Sequence, residues 1–304
     1  MFKNNSAIIK EILDIEKVPQ GAYTLRVNGV LEKVQQIEGI TIDVNKVEGC
    51  LNVIVANNTK NKSLHMPVVL NKENIKDIVI NNFYIGENCD ITIVAGCGID
   101  CVGKGDTIHS GIHAFYVGKN SVVKYIEKHI GKGSGVQKEI NTKTIINLED
   151  GASMFFDSLQ IGGIDRAYRK TDAIILCNGS LNIKEGIRTK NNENVISSFD
   201  VKLKGQNSSA SVCSRAVAGG NSQQKFEACM IGDNKCFGNV QCDAIIEDNA
   251  RISSIPKIEA NCVDASLEHE AVIGKVAPEQ VIKLMTLGLS QEEATNKIIE
   301  GFLK

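Results

Sequence analysis

Among the residues that could do chemistry, Cys242 has the most informative neighbours. It lies between Gln241 and Asp243, at the start of a predicted strand that follows a turn at 232–236. A cysteine with polar neighbours is expected to be more accessible than one within an apolar run, although a single cysteine is most often a small buried hydrophobe. An accessible thiolate is both a nucleophile and a soft metal ligand. The pattern therefore indicates a thiol that can carry sulfur or bind iron.

A short acidic segment with a central imidazole, Glu268-His269-Glu270, follows later in the chain. On a strand, alternation places the two glutamates on one face, about 7 Å apart, and His269 on the other. One metal ion could contact all three side chains only through a β-bulge or across a subunit boundary. The segment lacks the second histidine of H-E-x-x-H, which excludes that metalloprotease motif. Taken alone, the segment is also typical of a solvated charged edge.

Two other motifs need an interpretation. His109 and His113 would share one side of a strand and could bind a metal, although hydrogen-bonded structural histidines are the simpler interpretation. Residues 98–105 nearly match a phosphate-binding loop, but Gly105 stands where serine or threonine would hold magnesium. No helical pattern follows this loop, so we predict a turn there and no nucleotide site.

The composition is that of a globular protein. The chain has 304 residues, of which 42% are hydrophobic, and these suffice for a sizeable core. A net charge of −2 gives no electrostatic basis for binding nucleic acid or an anionic membrane. The chain has no membrane-length apolar stretch and no signal-peptide pattern at its start, so we expect a cytoplasmic protein with ten reduced cysteines. No C-x2-C pair occurs, which disfavours a zinc ribbon or finger.

The middle of the chain, residues 86–275, predicts the element that must position these groups. Short apolar or alternating runs recur there and are separated by small polar turns. The turns follow one another at intervals of 27 to 31 residues, near Asn120, Gly151, Asn178, Asn207 and Asn234. A near-constant period without intervening helical patterns is typical of a β-solenoid. We therefore predict a mainly β fold and favour a β-helix, with an antiparallel sandwich as the alternative.

Helical segments are predicted on both sides of this core. Residues 1–85 form an N-terminal helical or mixed segment, in which apolar residues between 6 and 16 recur at helical spacing. Residues 276–304 contain two short helices: Pro278 suits a first helical position, and the capping box at 290–293 opens the second helix. The apolar faces of these two helices pack either on the chain's own sheet or on a partner protein.

Several segments stand in the order and spacing of one known family. They are Gln241-Cys242-Asp243, Pro256-Lys-Ile-Glu259, the run Ala265–Lys275 with its Leu-Glu-His-Glu-Ala core, Gly288-Leu-Ser-Gln-Glu-Glu293-Ala and Gly301-Phe302, together with the earlier His109-Ser-Gly-Ile-His113, Phe115–Asn120 and Tyr125–His129 segments. From about residue 90 to its end, the chain resembles the SufB/SufD proteins, which are the scaffold subunits of the SUF iron–sulfur cluster assembly system.

This resemblance implies a right-handed parallel β-helix through which the chain dimerises. It implies a scaffold rather than an enzyme, with iron and a transient iron–sulfur cluster as its cargo. ATP hydrolysis would be confined to a SufC-type ATPase partner, and a cysteine desulfurase or another donor would supply sulfur. The residues that would bind the ATPase lie in the C-terminal helical segment: Leu284, Met285, Leu289, Ile298 and Phe302.

The resemblance also implies a role for each residue of the candidate site. Cys242 matches the assembly-site cysteine of SufB and would accept sulfur and bind the cluster. Glu270 matches the essential glutamate of the E-H-E-A motif, and Glu268 stands beside it. His269 matches the histidine that SufD contributes from across the dimer interface. Because one chain carries all four residues, a homodimer could supply both halves of the site.

The chain also departs from the family pattern. It is much shorter than full-length SufB and lacks the N-terminal cysteine cluster, which fits a minimal system of one scaffold and one ATPase. A second SufB/SufD scaffold remains an alternative partner, and a SufD-like structural subunit without its own cluster site remains an alternative role. A β-helix enzyme acting on polysaccharide is disfavoured, because the chain has no tryptophan and only 5% aromatic residues for stacking on sugars.

Overall fold

The computed structural model describes residues 6–13, 21–45 and 50–303. Strands dominate these residues, as the sequence predicted for the fold class. The helices are α1 (Ser6–Leu13), α2 (Pro278–Met285) and α3 (Gln291–Phe302). The strands are β1 (Ala22–Val27), β2 (Val30–Gln35), β3 (Ile40–Asn45), β4 (Cys50–Val55), β5 (Lys62–Leu70), β6 (Lys76–Ile85), β7 (Asp90–Asp100), β8 (Gly105–Val117), β9 (Val122–Lys132), β10 (Val136–Leu148), β11 (Ser153–Ile161), β12 (Arg166–Ile175), β13 (Ser180–Thr189), β14 (Asn194–Leu203), β15 (Ser208–Ala218), β16 (Gln223–Gly232), β17 (Cys236–Ile246), β18 (Arg251–Ala260) and β19 (Ala265–Gly274).

The strands form two sheets that the chain visits in turn. From β4 onwards, the odd-numbered strands belong to sheet A and the even-numbered strands to sheet B, and each pairs in parallel with the strand two places along. Register partners such as Ser158 and Glu185 lie 27 to 32 residues apart, which is the length of one coil. The result is a β-solenoid of about eight turns. The parallel pairing confirms the predicted β-helix and excludes the antiparallel sandwich.

The space between the two sheets, here called the lumen, is filled by side chains. Buried and less buried residues alternate along the strands, as in β14, so every second residue faces the lumen. Lumen-facing residues stack from coil to coil: the Phe83 and Phe115 rings lie 4.4 Å apart and parallel within 9°. Burying each such side chain contributes about 1.5–3 kcal/mol. A single hydrophobic core therefore runs along most of the solenoid.

Asparagines recur at corresponding positions in the turns of four coils. Asn88, Asn120, Asn178 and Asn207 have φ angles between 54° and 57°, a region that asparagine tolerates better than most residues. The Asn207 side-chain amide also donates a hydrogen bond of 3.3 Å to Oδ1 of Asn178, one coil earlier. The recurring polar turns of the sequence thus mark the corners of the solenoid.

The strands of both sheets continue through residues 22–85. The predicted division at residue 86 is therefore not a break in the sheets. The predicted N-terminal helix is present over Ser6–Leu13, and residues 14–16 of that prediction lie outside the described residues. This helix, α1, packs on sheet A at Gly98, where an added Cβ would lie 2.5 Å from the Ile8 side chain. Glycine there allows the helix to approach the strand closely.

The last coil leaves one end of the solenoid open. β18 and β19 are the terminal strands of their sheets, each with a hydrogen-bonded neighbour on one side only within the described chain. Most residues of both strands are exposed. This end consequently presents unpaired backbone groups and incompletely covered side chains, which are features of a surface that pairs with another chain.

The C-terminal helices lie beside this end and differ in how they pack. α3 buries Ala294 and Ile299, and Ile299 contacts Val217 and Ile245. α2 has no buried side chain. The predicted capping box is confirmed: the Ser290 hydroxyl accepts from the backbone N–H of Glu293, whose carboxylate accepts from the backbone N–H of Ser290. Within the described ranges, no helix combines the length and apolarity that crossing a membrane requires.

Candidate functional site

Cys242 faces the lumen of the solenoid, one strand from the open end of sheet A. It is 0% exposed, so the expectation that its polar neighbours make it accessible is wrong for the single chain. Gln241 and Asp243 point away from the lumen and hydrogen-bond to each other at 2.9 Å, while Cys242 points inward between them. Burial raises the pKa of the Cys242 thiol, and the nearby Ser254 hydroxyl opposes this rise.

Cys242 ends a polar row on the lumen side of sheet A. Glu127, Ser158, Glu185, Ser214 and Cys242 are register partners on five successive strands, about 4.8 Å apart from strand to strand. All five are buried. The Ser214 hydroxyl, next to Cys242 in this row, donates to Oε2 of Glu185 at 3.1 Å. The thiol therefore lies at one end of a buried polar row within a largely apolar core.

Arg169, on sheet B, neutralises the charge of this row from across the lumen. Its Nη2 lies 2.8 Å from Oε2 of Glu127, and its Nε lies 3.3 Å from Oε1 of Glu185. Burial alone would raise the pKa of Glu127, but the neighbouring His129 and Arg169 lower it to about 2. Burial without a partner strongly disfavours a charged group, so these contacts are what keep the carboxylates ionised inside the protein.

Three of the five histidines lie in the lumen near the opposite, N-terminal end: His109, His113 and His129. His109 contacts Oδ2 of Asp77 through Nδ1 at 2.9 Å, and His113 contacts the Asn81 side chain at 3.2 Å. Burial lowers the pKa of His113 to about 4. In the described part of the chain, no three His, Cys, Asp or Glu side chains converge as a metal site would require. The structural interpretation of His109 and His113 is therefore preferred to metal binding.

The Glu268-His269-Glu270 segment lies on β19, the edge strand of sheet A. His269 is half-buried on the lumen side, whereas Glu268 and Glu270 are exposed on the outer side, as alternation predicted. His269 pairs with Val240, which stands two residues before Cys242. This register places the Cα atoms of His269 and Cys242 about 8 Å apart. Nε2 of His269 is buried and has no hydrogen-bond partner among the described residues.

The structure thus brings two of the four predicted site residues to one space. Cys242 and His269 share the lumen of the last coils, and the two glutamates lie on the other side of the strand. Within one chain, the carboxylates and the thiol cannot contact the same ion without a rearrangement of β19.

Sequence reasoning did not single out three polar residues around the thiol. Glu185 and Ser214 belong to the buried row, and Ser254 lies opposite on the lumen side of sheet B. The available signal was alternation: Ser214 stands two residues from the buried Val212 and Ala216, so it shares their side of the strand. Charged residues such as Glu185 give no such signal, because they usually face solvent.

The predicted partner-binding residues are incompletely covered by the chain itself. Met285 on α2 is 41% exposed, and Ile282 and Leu287 beside it are 59% and 75% exposed. The other predicted residues, Leu284, Leu289, Ile298 and Phe302, are half-buried. Phe302 packs against the Arg215 guanidinium, 6.0 Å from the ring centre. The exposed apolar surface of this segment is therefore concentrated on and just after α2.

Comparison with known proteins shows the family of this chain. The model of the family described as "SUF system FeS cluster assembly, SufBD core domain" matches residues 83–302. An iron–sulfur cluster assembly SufBD family protein of Methanocaldococcus jannaschii is 30% identical over 285 residues, covering 89% of this chain and 86% of the relative. Similar proteins from Archaeoglobus fulgidus and Pyrococcus horikoshii are 26% and 30% identical, covering 96% and 74% of this chain and 72% and 68% of those proteins.

The fold and the site define a parallel β-solenoid with a thiol and an imidazole facing its lumen at one open end. With the family match spanning most of the chain, the protein belongs to the SufB/SufD family of the SUF iron–sulfur cluster assembly system.

Proposed function

We propose that this protein is a SufB-like scaffold on which an iron–sulfur cluster is built at a dimer interface and then passed on. Family membership supports an iron–sulfur cluster as the cargo of this protein. The observation that carries the proposal is the position of Cys242 and His269, which share the lumen beside an edge strand with no neighbour on its outer side in the described chain.

The residues of the site have separate tasks. Cys242 accepts sulfur from a cysteine desulfurase or another donor and binds iron, because a thiolate is both nucleophile and soft ligand. His269 contributes an imidazole nitrogen as a ligand. Glu268 and Glu270, exposed on the outer side of β19, recruit iron before it reaches the thiol. A mixed ligand set changes the potential and lability of a cluster relative to four thiolates, which suits a site that must release its cargo.

A second chain is needed to complete the ligand set. In the described part of one chain, no three metal-ligating side chains converge. The open edges of β18 and β19 can pair with another copy, which would add a second thiol and a second imidazole. A homodimer is therefore the simplest assembly, and a second SufB/SufD scaffold is the alternative.

Access to the site is controlled by a partner. Cys242 is fully buried in the single chain, so sulfur and iron reach it only after a movement of the last coil or of the dimer. A SufC-type ATPase docked on the exposed apolar residues of α2 and on α3 would drive this movement. The scaffold itself then performs no hydrolysis.

Replacement of Cys242 by alanine tests the proposal. After anaerobic reconstitution with iron and a sulfur source, the wild-type dimer should show the visible absorbance of a cluster and transfer it to an acceptor apoprotein. Cys242→Ala should lose most of both signals. Cys229→Ala, which removes a half-buried cysteine outside the lumen site, is the matched control and should retain them. Full absorbance and transfer by Cys242→Ala would exclude this site.

The absence of three converging ligands within one described chain also favours a second candidate, a SufD-like structural subunit. In that case, the wild-type homodimer would hold no cluster after reconstitution, whereas a heterodimer with a second SufB/SufD scaffold would. Cluster formation on the homodimer alone would exclude this alternative.

A further inference from the structure

We propose that Ser254 is a positioning residue that holds the sulfur of Cys242 within the last coil. The inference rests on the proposed scaffold function and adds a residue to its site. It concerns the state in which Cys242 carries sulfur as a thiolate or as a persulfide.

The position of Ser254 is fixed by the sheet. On β18, Ser254 is the register partner of Phe226, which is 4% exposed and faces the lumen. Ser254 therefore faces the lumen from sheet B, opposite the strand that carries Cys242 on sheet A. Its neighbour Ser253 is exposed on the outer surface of the same strand.

The hydroxyl of Ser254 is available for a ligand. Its Oγ is buried and has no partner within hydrogen-bond geometry among the described residues. It faces the same lumen as the Cys242 thiol, from the opposite sheet. A hydrogen bond from this hydroxyl to the sulfur would be strongest when the sulfur carries negative charge, because hydrogen bonds to charged acceptors are shorter and stronger.

The other hydroxyl near the thiol is already engaged. Ser214, beside Cys242 on β15, donates to Oε2 of Glu185 at 3.1 Å. Its proton is held by a buried carboxylate, which leaves Ser254 as the hydroxyl that can donate to sulfur. A buried hydroxyl without a partner destabilises a fold, so stability alone does not explain a serine at this position.

The supported step is a persulfide transfer. The Cys242 thiolate attacks the outer sulfur of a donor persulfide, R–S–SH, forming the Cys242 S–S bond as the donor S–S bond breaks. The products are the Cys242 persulfide and the donor thiolate, R–S⁻, and no net oxidant is needed. A donor hydrogen bond from Ser254 stabilises the anionic form of the new persulfide and slows its loss to other thiols.

The test uses the full chain and glutathione persulfide as the sulfur source. The Cys242 peptide is alkylated and quantified by mass spectrometry, first after loading and then during a chase with glutathione. Ser254→Thr and Ser254→Val form a pair of nearly equal volume that differs in the hydroxyl. We expect Ser254→Thr to hold the persulfide within about twofold of wild type and Ser254→Val to lose it about tenfold faster. Ser254→Ala should behave like Ser254→Val, and Ser253→Ala should match wild type.

The outcomes separate the two proposals. Equal persulfide lifetimes for Ser254→Thr and Ser254→Val, with wild type loaded at Cys242, would overturn the role of Ser254 and leave the scaffold function intact. Wild type that acquires no persulfide at Cys242 would overturn both. Urea unfolding midpoints that agree between the threonine and valine variants exclude a general loss of structure as the cause of a difference.

Discussion

At the scale of single residues, the lumen contains a charge arrangement that governs both stability and the environment of the thiol. Arg169 contacts Glu127 and Glu185 together, and both carboxylates are almost fully buried. Hydroxyls of Ser197 and Ser214 donate to Glu185 at 2.6 and 3.1 Å. The group is thus nearly saturated with partners, which is the condition under which buried charge is tolerated.

Removal of Arg169 should show how much the ion pairs with Glu127 and Glu185 contribute to the stability of the fold. Arg169→Leu leaves two buried carboxylates without their cation, and we expect the free energy of unfolding to fall by about 3–5 kcal/mol. The matched control is Arg166→Leu, on the same strand, whose side chain is 63% exposed and pairs with Glu139 at 3.4 Å. That change should cost less than about 1 kcal/mol. Urea denaturation of both variants measures the difference, and similar losses would contradict the assignment.

The candidate site was predicted from sequence in part. Alternation correctly separated His269 from Glu268 and Glu270, because a strand has only two sides. The accessibility of Cys242 was misjudged from its immediate neighbours. The better signal was two residues away, where the buried Val240 and Ala244 share its side of the strand. Buried charges such as Arg169 could not be predicted, since their partners come from coils far away in the sequence.

At the scale of elements, most of the fold followed from the sequence because the coil is a local repeat. The near-constant period and the polar corners predicted the solenoid, and the capping box predicted the start of α3. The period alone could not exclude an antiparallel sandwich, since strand direction is set by pairing between distant residues. The solenoid was not predicted to extend before residue 86, because the repeat there is interrupted by the antiparallel β1–β2 and β3–β4 pairs.

The edge strand β19 should determine whether two chains associate. Val272 is 66% exposed on β19, and its register partner is Asp243. Val272→Glu would add a negative charge beside Asp243 and Glu270 in both copies, so we expect a dimer to become a monomer by light scattering. The control is Val122→Glu, at a 39% exposed position on β9, which is distant from the open end of sheet A. Retention of the dimer by Val272→Glu would argue against this interface.

At the scale of the whole molecule, the buried histidines make stability depend on pH. Burial lowers the pKa of His113 from 6.5 to about 4 and that of His129 to about 3. Between pH 6.5 and these values, the two histidines are protonated in the unfolded chain and neutral in the folded chain. Glu127, with its pKa lowered from 4.5 to about 2, acts in the same direction at lower pH. All three groups therefore stabilise the fold less as the pH falls.

We expect the free energy of unfolding to decrease as the pH falls below about 6.5, by up to about 1.4 kcal/mol per pH unit for each of the two histidines. His129→Gln removes one titrating group and keeps an acceptor for Arg169, which contacts Nδ1 of His129 at 2.8 Å. Its slope against pH should be shallower than that of wild type. Urea unfolding between about pH 7 and pH 5 measures both slopes, and equal slopes would rule out His129 as a source of acid lability.

The order of the coils has a consequence for how the thiol is reached. In a solenoid, each repeat is stabilised mainly by its neighbours, so the terminal repeat detaches at a fraction of the free energy of global unfolding. β18 pairs only with β16, and β19 only with β17, within the described chain. Detachment of β18 and β19 would expose Cys242 to solvent while the earlier coils remained folded. The Cys242 thiol thus lies behind the coil that we expect to open first.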